Sequence, residues 1–141
     1  MLFRSHDRIF KLTPGPLACV LCHQGMETHD HLFFKCSFSS FVWQGIMQCL
    51  EIGSSPTTWG ALVEWAAGYW KKKTPPHIIP RIFFGAAIYH IWKERNARTF
   101  RSEAKPEGRI LRDICYQVSL QTRIKWRNDP QLPQLLELCG G

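Results

Sequence analysis

The most constraining feature of this chain is the stretch CVLCHQGMETHDHLFFKC, which spans residues 19–36. It contains three of the six cysteines and three of the six histidines in the sequence. Such a density is typical of half a disulfide framework, of a redox site or of a metal-binding site. Each of these needs a different compartment and a different spacing, so those two properties decide among them.

The expected compartment is the inside of the cell. The first residues, MLFRSHDRIFKL, carry a charge every few positions and lack the apolar segment of a secretory signal. The longest apolar run covers residues 82–92, whereas a membrane span needs about 20 residues. We therefore expect an intracellular protein, nuclear or cytoplasmic, with no membrane partner. Thiols stay reduced in these compartments, so clustered cysteines favour a metal over disulfides.

The spacing of the cluster favours zinc. The first two cysteines are separated by two residues, so one tight turn directs both sulfurs to a single point. A histidine and a third cysteine complete the pattern CxxCx8Hx4C. Zinc binds four nitrogen or sulfur ligands in a tetrahedron, and a Cys3His set is a closed, structural site. The predicted ligands of one structural Zn²⁺ are Cys19, Cys22, His31 and Cys36. His29 and His23 are alternatives to His31, because neither spacing is excluded by geometry.

The neighbouring sequence predicts a small unit around the ion. Gly25 allows the chain to reverse after the first two cysteines, and residues 31–36, HLFFKC, are expected to be extended and to return beside them. Residues 37–50 then change to helical spacing, with apolar residues at steps of three and four. We expect a turn, a short hairpin and a helix that surround one ion.

The rest of the chain is predicted to be helical. Apolar spacing indicates one helix from Trp59 to Trp70, a buried helix over residues 82–92 with Pro80 at its start, and a last helix from Ile110 to Trp126. The predicted fold class is mainly α, with a small zinc-stabilised turn or hairpin unit near the N-terminus followed by about four helices.

The length of 141 residues is about that of one domain. We predict a zinc-binding module over residues 1–56, packed as one domain with a helical region over residues 57–127 that has a basic surface. A marginal or disordered tail is expected over residues 128–141.

Residues 19–43, CVLCHQGMETHDHLFFKCSFSSFVW, resemble the zinc-binding domain found C-terminal to reverse transcriptase in plant non-LTR, LINE-type retrotransposons. The pattern of that domain is CxxC, then ETxxHLFxxC, then a helix that carries VW. The matching positions are Cys19, Cys22, Glu27, Thr28, His31, Leu32, Phe33, Cys36, Val42 and Trp43. Residues 91–100, IWKERNARTF, resemble a second stretch that often follows in the same polyproteins, ahead of a ribonuclease H domain.

The resemblance implies a role in holding template or target nucleic acid near reverse transcriptase. The expected partners are RNA or DNA and the reverse transcriptase or ribonuclease H regions of the parent polyprotein. The YxDD-type carboxylate pair of a polymerase and the clustered acidic residues of ribonuclease H do not occur in this sequence. We therefore expect a non-catalytic module that is a fragment or a stand-alone remnant of a mobile-element protein.

The charge distribution agrees with a nucleic-acid partner. The net charge is +7, and the excess of cations lies between residues 71 and 127. Such patches bind phosphate backbones through Coulomb attraction and counterion release. The predicted nucleic-acid-binding residues are Lys71, Lys72, Lys73, Lys93, Arg95, Arg98, Arg101, Arg109 and Arg112. Glu94 and Asp113 lie close enough in sequence to pair with several of these cations, so a merely solvated basic face is the competing interpretation.

The sequence thus predicts a non-catalytic, nucleic-acid-binding module with structural zinc. The alternatives are a protein-interaction module that docks on a polymerase or another partner, and a non-functional element remnant.

Overall fold

The computed structural model describes residues 18–53, 55–68, 75–125 and 127, with side chains of the third helix described from Ile78 onward. This part of the chain is mainly helical and contains no strand, which confirms the predicted fold class. The elements in chain order are a π-helical turn (His31–Lys35), α1 (Ser37–Cys49), α2 (Trp59–Gly68), α3 (Pro75–Phe100) and α4 (Glu107–Lys125). The predicted tail lies outside the described residues, and the predicted division after residue 56 stays a prediction.

The hydrophobic core forms where α1, α3 and α4 pack together. Val42 and Trp43 of α1 are fully buried, and the Trp43 indole N–H donates to the carbonyl of Phe33 at 2.6 Å. The buried positions of α4 recur at steps of four, as Ile110, Ile114, Val118 and Thr122. A Cβ on Gly45 would overlap the side chain of Leu111, so glycine allows α1 and α4 to approach closely. One stripe on each helix therefore faces a common core.

The start of α2 is tied to the region of the π-helical turn. The Asp30 carboxylate accepts a hydrogen bond from the backbone N–H of Trp59 at 3.3 Å, and the Thr58 hydroxyl accepts one from Ala61 at 3.1 Å. Both acceptors satisfy N–H groups that have no partner within the helix. The Trp59 ring packs edge-on against Phe33 with the centroids 5.2 Å apart. The cysteine-rich region and α2 are thus joined by polar and aromatic contacts.

The prediction that residues 31–36 are extended was wrong. These residues form a π-helical turn followed by Cys36, whose N–H donates to the carbonyl of His31 at 2.7 Å. The physical reason is burial, because Leu32, Phe33 and Phe34 are all buried. A strand would point alternate side chains to opposite faces, whereas the wide turn directs all three into the interior.

The prediction that Pro80 starts the central helix was also wrong. Helix α3 begins at Pro75, with Pro80 inside it, and continues to Phe100. Pro75 and Pro76 lie in the first turn, where a missing N–H costs nothing, and Pro80 loses one intrahelical hydrogen bond. Within the described residues, none of the helices combines the length and the apolar character that a membrane crossing requires.

Candidate metal centre

Cys19 and Cys22 lie on a tight turn at the start of the described chain. The backbone N–H of Cys19 donates to the carbonyl of Gly25 at 3.0 Å, and one antiparallel bridge joins Ala18 to Met26. The predicted hairpin is therefore reduced to a single bridge that closes the turn. The turn directs both sulfurs to the same side, as the CxxC spacing predicts.

His31 and Cys36 lie at the two ends of the π-helical turn. The Thr28 hydroxyl accepts a hydrogen bond from the backbone N–H of His31 at 3.1 Å, which holds the start of this turn. Gly25 has a φ of +74°, in the left-handed region that glycine adopts without strain. A Cβ at this glycine would lie 3.4 Å from Cε1 of His31, an ordinary van der Waals contact, so the positive φ and not a lack of space favours glycine here.

The structure brings the four predicted ligands into one cluster. The ligand atoms of Cys19, Cys22, His31 and Cys36 all lie within 4.8 Å of one another. Sγ of Cys19 is 3.7 Å from Sγ of Cys36, and Sγ of Cys22 is 3.3 Å from Nε2 of His31. A zinc tetrahedron with ordinary bond lengths has S–S edges of about 3.8 Å and S–N edges of about 3.6 Å. The donor types and the measured edges both fit zinc.

The same distances distinguish this cluster from a disulfide. All three of its cysteines are free, and the 3.7 Å between the sulfurs of Cys19 and Cys36 is well beyond a disulfide bond of about 2.05 Å. The cluster is partly enclosed, since Cys19 and Cys36 are fully buried and the other two residues are half-buried. Sγ of Cys22 also lies 3.4 Å from the backbone N–H of Gln24, which donates to it, and 3.0 Å from the Gln24 carbonyl.

The buried sulfurs of Cys19 and Cys36 lie in hydrogen-bond contact, which shifts their pKa values in opposite directions. The hydrogen bond with the Cys36 thiol lowers the pKa of Cys19 to about 5, although burial acts in the opposite direction. The hydrogen bond with Cys19 and burial raise the pKa of Cys36 well above its usual range. A thiolate next to a thiol that retains its proton is an arrangement that a divalent cation can complete, because metal binding displaces that proton.

The alternative ligands do not join the cluster. His23 is exposed with a φ of +61°, His29 is half-buried, and neither belongs to the group that could hold an ion. Cys49 and Cys115 are half-buried on α1 and α4 outside the group, and Cys139 lies outside the described residues. Among the described histidines and cysteines, the geometry therefore selects the set Cys19, Cys22, His31 and Cys36.

A buried ion pair connects this region to α3. Nε of Arg95 donates to Oε1 of Glu27 at 2.7 Å, and a second guanidinium nitrogen lies 3.3 Å from Oε2. Both side chains are only 2% exposed. Arg95 therefore lies inside the protein and not on a basic surface, and its predicted role in nucleic-acid binding stays a prediction. A buried guanidinium needs a counter-charge, and Glu27 next to the cysteine turn supplies it.

Arg98 makes a second connection between α3 and the cysteine turn. Its guanidinium donates to the backbone carbonyls of Val20 and Leu21 at 3.3 and 3.2 Å, between the first two cysteines. It also donates to the Glu94 carboxylate at 2.7 Å and to the carbonyl of Lys105 at 2.8 Å. The Arg98 side chain is 15% exposed and most of its donors are used within the protein, and its predicted role in nucleic-acid binding stays a prediction. We call Arg95, Arg98, Glu27 and Glu94 the inner ion-pair cluster.

The remaining predicted cations have different positions. Lys93 and Arg101 are exposed at α3 and just after it, and Arg109 and Arg112 are exposed on α4. Arg109 pairs with Asp113 at 3.1 Å. The predicted residues Lys71, Lys72 and Lys73 lie outside the described residues.

Sequence reasoning named Glu94 as a partner for nearby cations, and the structure pairs it with Arg98, but it missed Glu27 as the partner of Arg95. The available signal was that the two stretches quoted for the family resemblance carry opposite charges, an acid in ETHDHLFF and arginines in KERNARTF. Neither stretch by itself shows which acid is buried, so the pairing of Glu27 with Arg95 required the fold.

Comparison with known proteins supports one part of the chain. No curated protein and no solved structure matches it. Residues 3–43, which include all four residues of the candidate metal centre, match a family model described as zinc-binding in reverse transcriptase. The resemblance seen in the sequence is thereby confirmed for this stretch, as a reverse transcriptase zinc-binding domain.

Proposed function

We propose that this chain is a non-catalytic module in which one structural zinc ion fixes a helical domain whose basic surface binds RNA or DNA. The proposal includes an origin in the reverse transcriptase polyprotein of a plant LINE-type retrotransposon and a nuclear or cytoplasmic location. The observation that carries it is a Cys3His cluster whose ligand atoms all lie within 4.8 Å of one another, with two edges near those of a zinc tetrahedron, inside a stretch that matches a reverse transcriptase zinc-binding family.

Zinc in this cluster would cross-link two short segments of the chain. Cys19 and Cys22 lie on the N-terminal turn, while His31 and Cys36 flank the π-helical turn that leads into α1. Bound zinc supplies four ligand bonds and no reactive position, because three thiolates and one imidazole complete its tetrahedron. This closed donor set supports a structural, non-catalytic role.

Zinc binding is tested by elemental analysis of the purified chain. We expect about one zinc per chain and loss of helical circular dichroism on chelation, since such sites contribute on the order of 10 kcal/mol to folding. A metal-free chain that retains its helical signal and its cooperative unfolding would contradict the proposal.

Exposed cations support the nucleic-acid part of the proposal. Outside the inner ion-pair cluster, the exposed cations include Lys93, Arg101, Arg112 and Arg123. None of these four forms an ion pair with another residue that the structure describes. Their charges are therefore available to phosphates.

The salt dependence of binding tests this surface. Affinity for single-stranded and duplex oligonucleotides should fall steeply with salt, and Arg112→Gln or Arg123→Gln should reduce the logarithmic slope by about 1 each where the residue contacts a phosphate. Arg109→Gln is the matched control on the same helix, because Asp113 already neutralises Arg109. Absence of binding, or a slope that none of the variants changes, would refute the nucleic-acid role.

Docking on a protein is the second candidate function, and one observation favours it. An apolar groove of about 450 Å³ lies between α2 and α3 in the described part of the chain, lined by Val63, Ala66, Ala67, Arg81 and Phe84. Val63 is 60% exposed there. If this candidate is right, the chain should associate with a polymerase fragment independently of salt, and Val63→Asp should abolish that association. An association that Val63→Asp does not change would refute docking through this groove.

A further inference from the structure

The outward face of α3 carries two exposed aromatic rings with polar side chains between them. Tyr89, Lys93, Asn96 and Phe100 follow one another at steps of four, three and four, which places them on one side of the helix. Tyr89 is 51% exposed and Phe100 is 64% exposed. At the helical rise per residue, the two rings are about 16 Å apart along the axis. We call this the aromatic face of α3.

The aromatic face contains a shallow groove with a positive lining. The groove has a volume of about 350 Å³, and Trp92 and Arg101 complete its walls beside the four residues of the face. Its lining includes two cations, one amide and no carboxylate. Lys93 Nζ lies 5.9 Å from the centroid of the Tyr89 ring, so a cation accompanies an exposed ring directly. An anionic, π-rich ligand complements this chemistry.

One ring of the aromatic face, Phe100, is supported from inside the protein. The Arg95 guanidinium lies 5.9 Å from the centroid of Phe100 and 5.7 Å from that of Trp92. Arg95 is itself held by its buried ion pair with Glu27. Phe100 is thus positioned on its protein side while most of its surface faces solvent. Such preorganisation reduces the entropy lost when a ligand binds.

We infer that the aromatic face of α3 is a stacking platform for unpaired bases of single-stranded nucleic acid. Stacking on aromatic rings next to a cationic path for the backbone is the usual way in which proteins bind single strands without reading sequence. The bases of a duplex already stack on one another, so a duplex offers these rings only its backbone and groove edges. This inference rests on the proposed function and adds to it the strand state and the residues.

The test is the binding of zinc-loaded full chain to short single-stranded RNA and DNA oligonucleotides, measured by fluorescence anisotropy. Three probes of equal length separate the contributions: the single strand, its abasic counterpart with the same phosphates, and a hairpin duplex. Tyr89→Ala and Phe100→Ala should each weaken binding of the single strand by about 5-fold or more. Neither variant should change the salt slope, because neither removes a cation.

Matched variants define the controls. Tyr116→Ala removes an equally exposed ring from α4, 67% exposed and outside the face, and should leave affinity unchanged. Tyr89→Phe and Phe100→Tyr keep a ring and should restore binding. Circular dichroism checks folding of every variant, and Tyr89→Ala carries the test if the loss of the Arg95 contact makes Phe100→Ala unstable.

The outcomes separate the inference from the proposed function. Affinity that is equal for the normal and abasic strands, and unchanged in both alanine variants, overturns the stacking platform while leaving a backbone-binding module. Equal weakening by Tyr116→Ala overturns the assignment to this face. No binding to any of the three probes refutes the inference together with the nucleic-acid part of the proposed function.

Discussion

Two groups of arginines that look alike in sequence have opposite positions in the structure. Arg95 and Arg98 on α3 point inward, where they bind carboxylates and backbone carbonyls near the candidate metal centre. Arg112 and Arg123 on α4 are exposed to solvent. The first pair connects segments of the protein, and the second is available to ligands.

The difference shows that linear charge density does not identify a binding surface. A guanidinium carries five donors, so it can satisfy several buried acceptors at once, which makes arginine suited to interior connections. Arg98 does this with two carbonyls of the cysteine turn and the Glu94 carboxylate, while its guanidinium also lies 4.9 Å from the Phe38 ring centroid. Four experiments test the contrast, in order of decreasing expected effect on stability.

Loss of a zinc ligand should abolish the difference in exposure between the inward arginines of α3 and the outward arginines of α4. Cys36→Ser should lose the bound zinc and most of its helical signal, since the site contributes on the order of 10 kcal/mol. Trypsin should then cleave after Arg95 and Arg98, which the folded chain buries, as readily as after Arg112. Elemental analysis and mass spectrometry of the fragments measure both effects. Cys115→Ser is the control and should keep its zinc. A Cys36→Ser chain that keeps one zinc and resists trypsin at Arg95 and Arg98 would exclude Cys36 as a ligand.

Removal of the inner charge should have the next largest effect. Arg95→Met leaves the Glu27 carboxylate buried without its partner and should lower the free energy of unfolding by about 3–5 kcal/mol. Lys93→Met changes an exposed cation on the same helix and should shift it by less than about 0.5 kcal/mol. Urea denaturation of the zinc-loaded chains measures both values. Equal small shifts would mean that the Glu27–Arg95 pair does not stabilise the fold.

A conservative change at Arg98 tests geometry separately from charge. Arg98→Lys keeps the positive charge but cannot reach all the acceptors that the guanidinium satisfies, so we expect a loss of about 1–3 kcal/mol. Because two of those acceptors lie between Cys19 and Cys22, zinc should also pass to a chromogenic chelator faster. Arg101→Lys, just beyond α3, should leave the transfer rate unchanged. Identical rates in the two variants would remove Arg98 from any role in holding the turn.

The outer arginines should affect stability least. Arg112→Gln and Arg123→Gln together should leave the thermal midpoint of the zinc-loaded chain nearly unchanged, because each exposed substitution should change the free energy of unfolding by less than about 0.5 kcal/mol. The same double variant should bind oligonucleotides more weakly. Thermal denaturation measures its stability, and fluorescence anisotropy on the same preparation measures its affinity. A large drop in the midpoint would show that these residues also support the fold.

Much of the candidate metal centre could be predicted because its residues are close in sequence. A two-residue gap forces both sulfurs onto one turn, and the histidine and last cysteine follow within a short loop, so few backbone paths are available. The same locality did not predict the conformation between them. Leu32, Phe33 and Phe34 form an apolar run without a period, and such a run does not distinguish a strand from a helical turn.

The sequence predicted that the helices of the second half exist, but it did not predict where α3 begins. Apolar positions at steps of four identified α4, whereas Pro80 suggested a start for α3 that lies one and a half turns too late. A proline in a sequence indicates only that the first turn of a helix would suit it, because its φ is fixed and it has no N–H. Whether a helix continues through it depends on the packing that compensates for one lost hydrogen bond.

The sequence by itself determined the donor types, three thiolates and one imidazole, because ligand chemistry and short-range spacing are properties of neighbouring residues, and the fold selected His31 as the histidine. Only the tertiary structure decided which cations are inside and which rings are outside. Arg95 and Glu27 are 68 positions apart, and no local pattern predicts that they meet. Burial is a property of the assembled fold, and it converts one arginine of a basic stretch into an internal support while leaving Tyr89 and Phe100 in solvent.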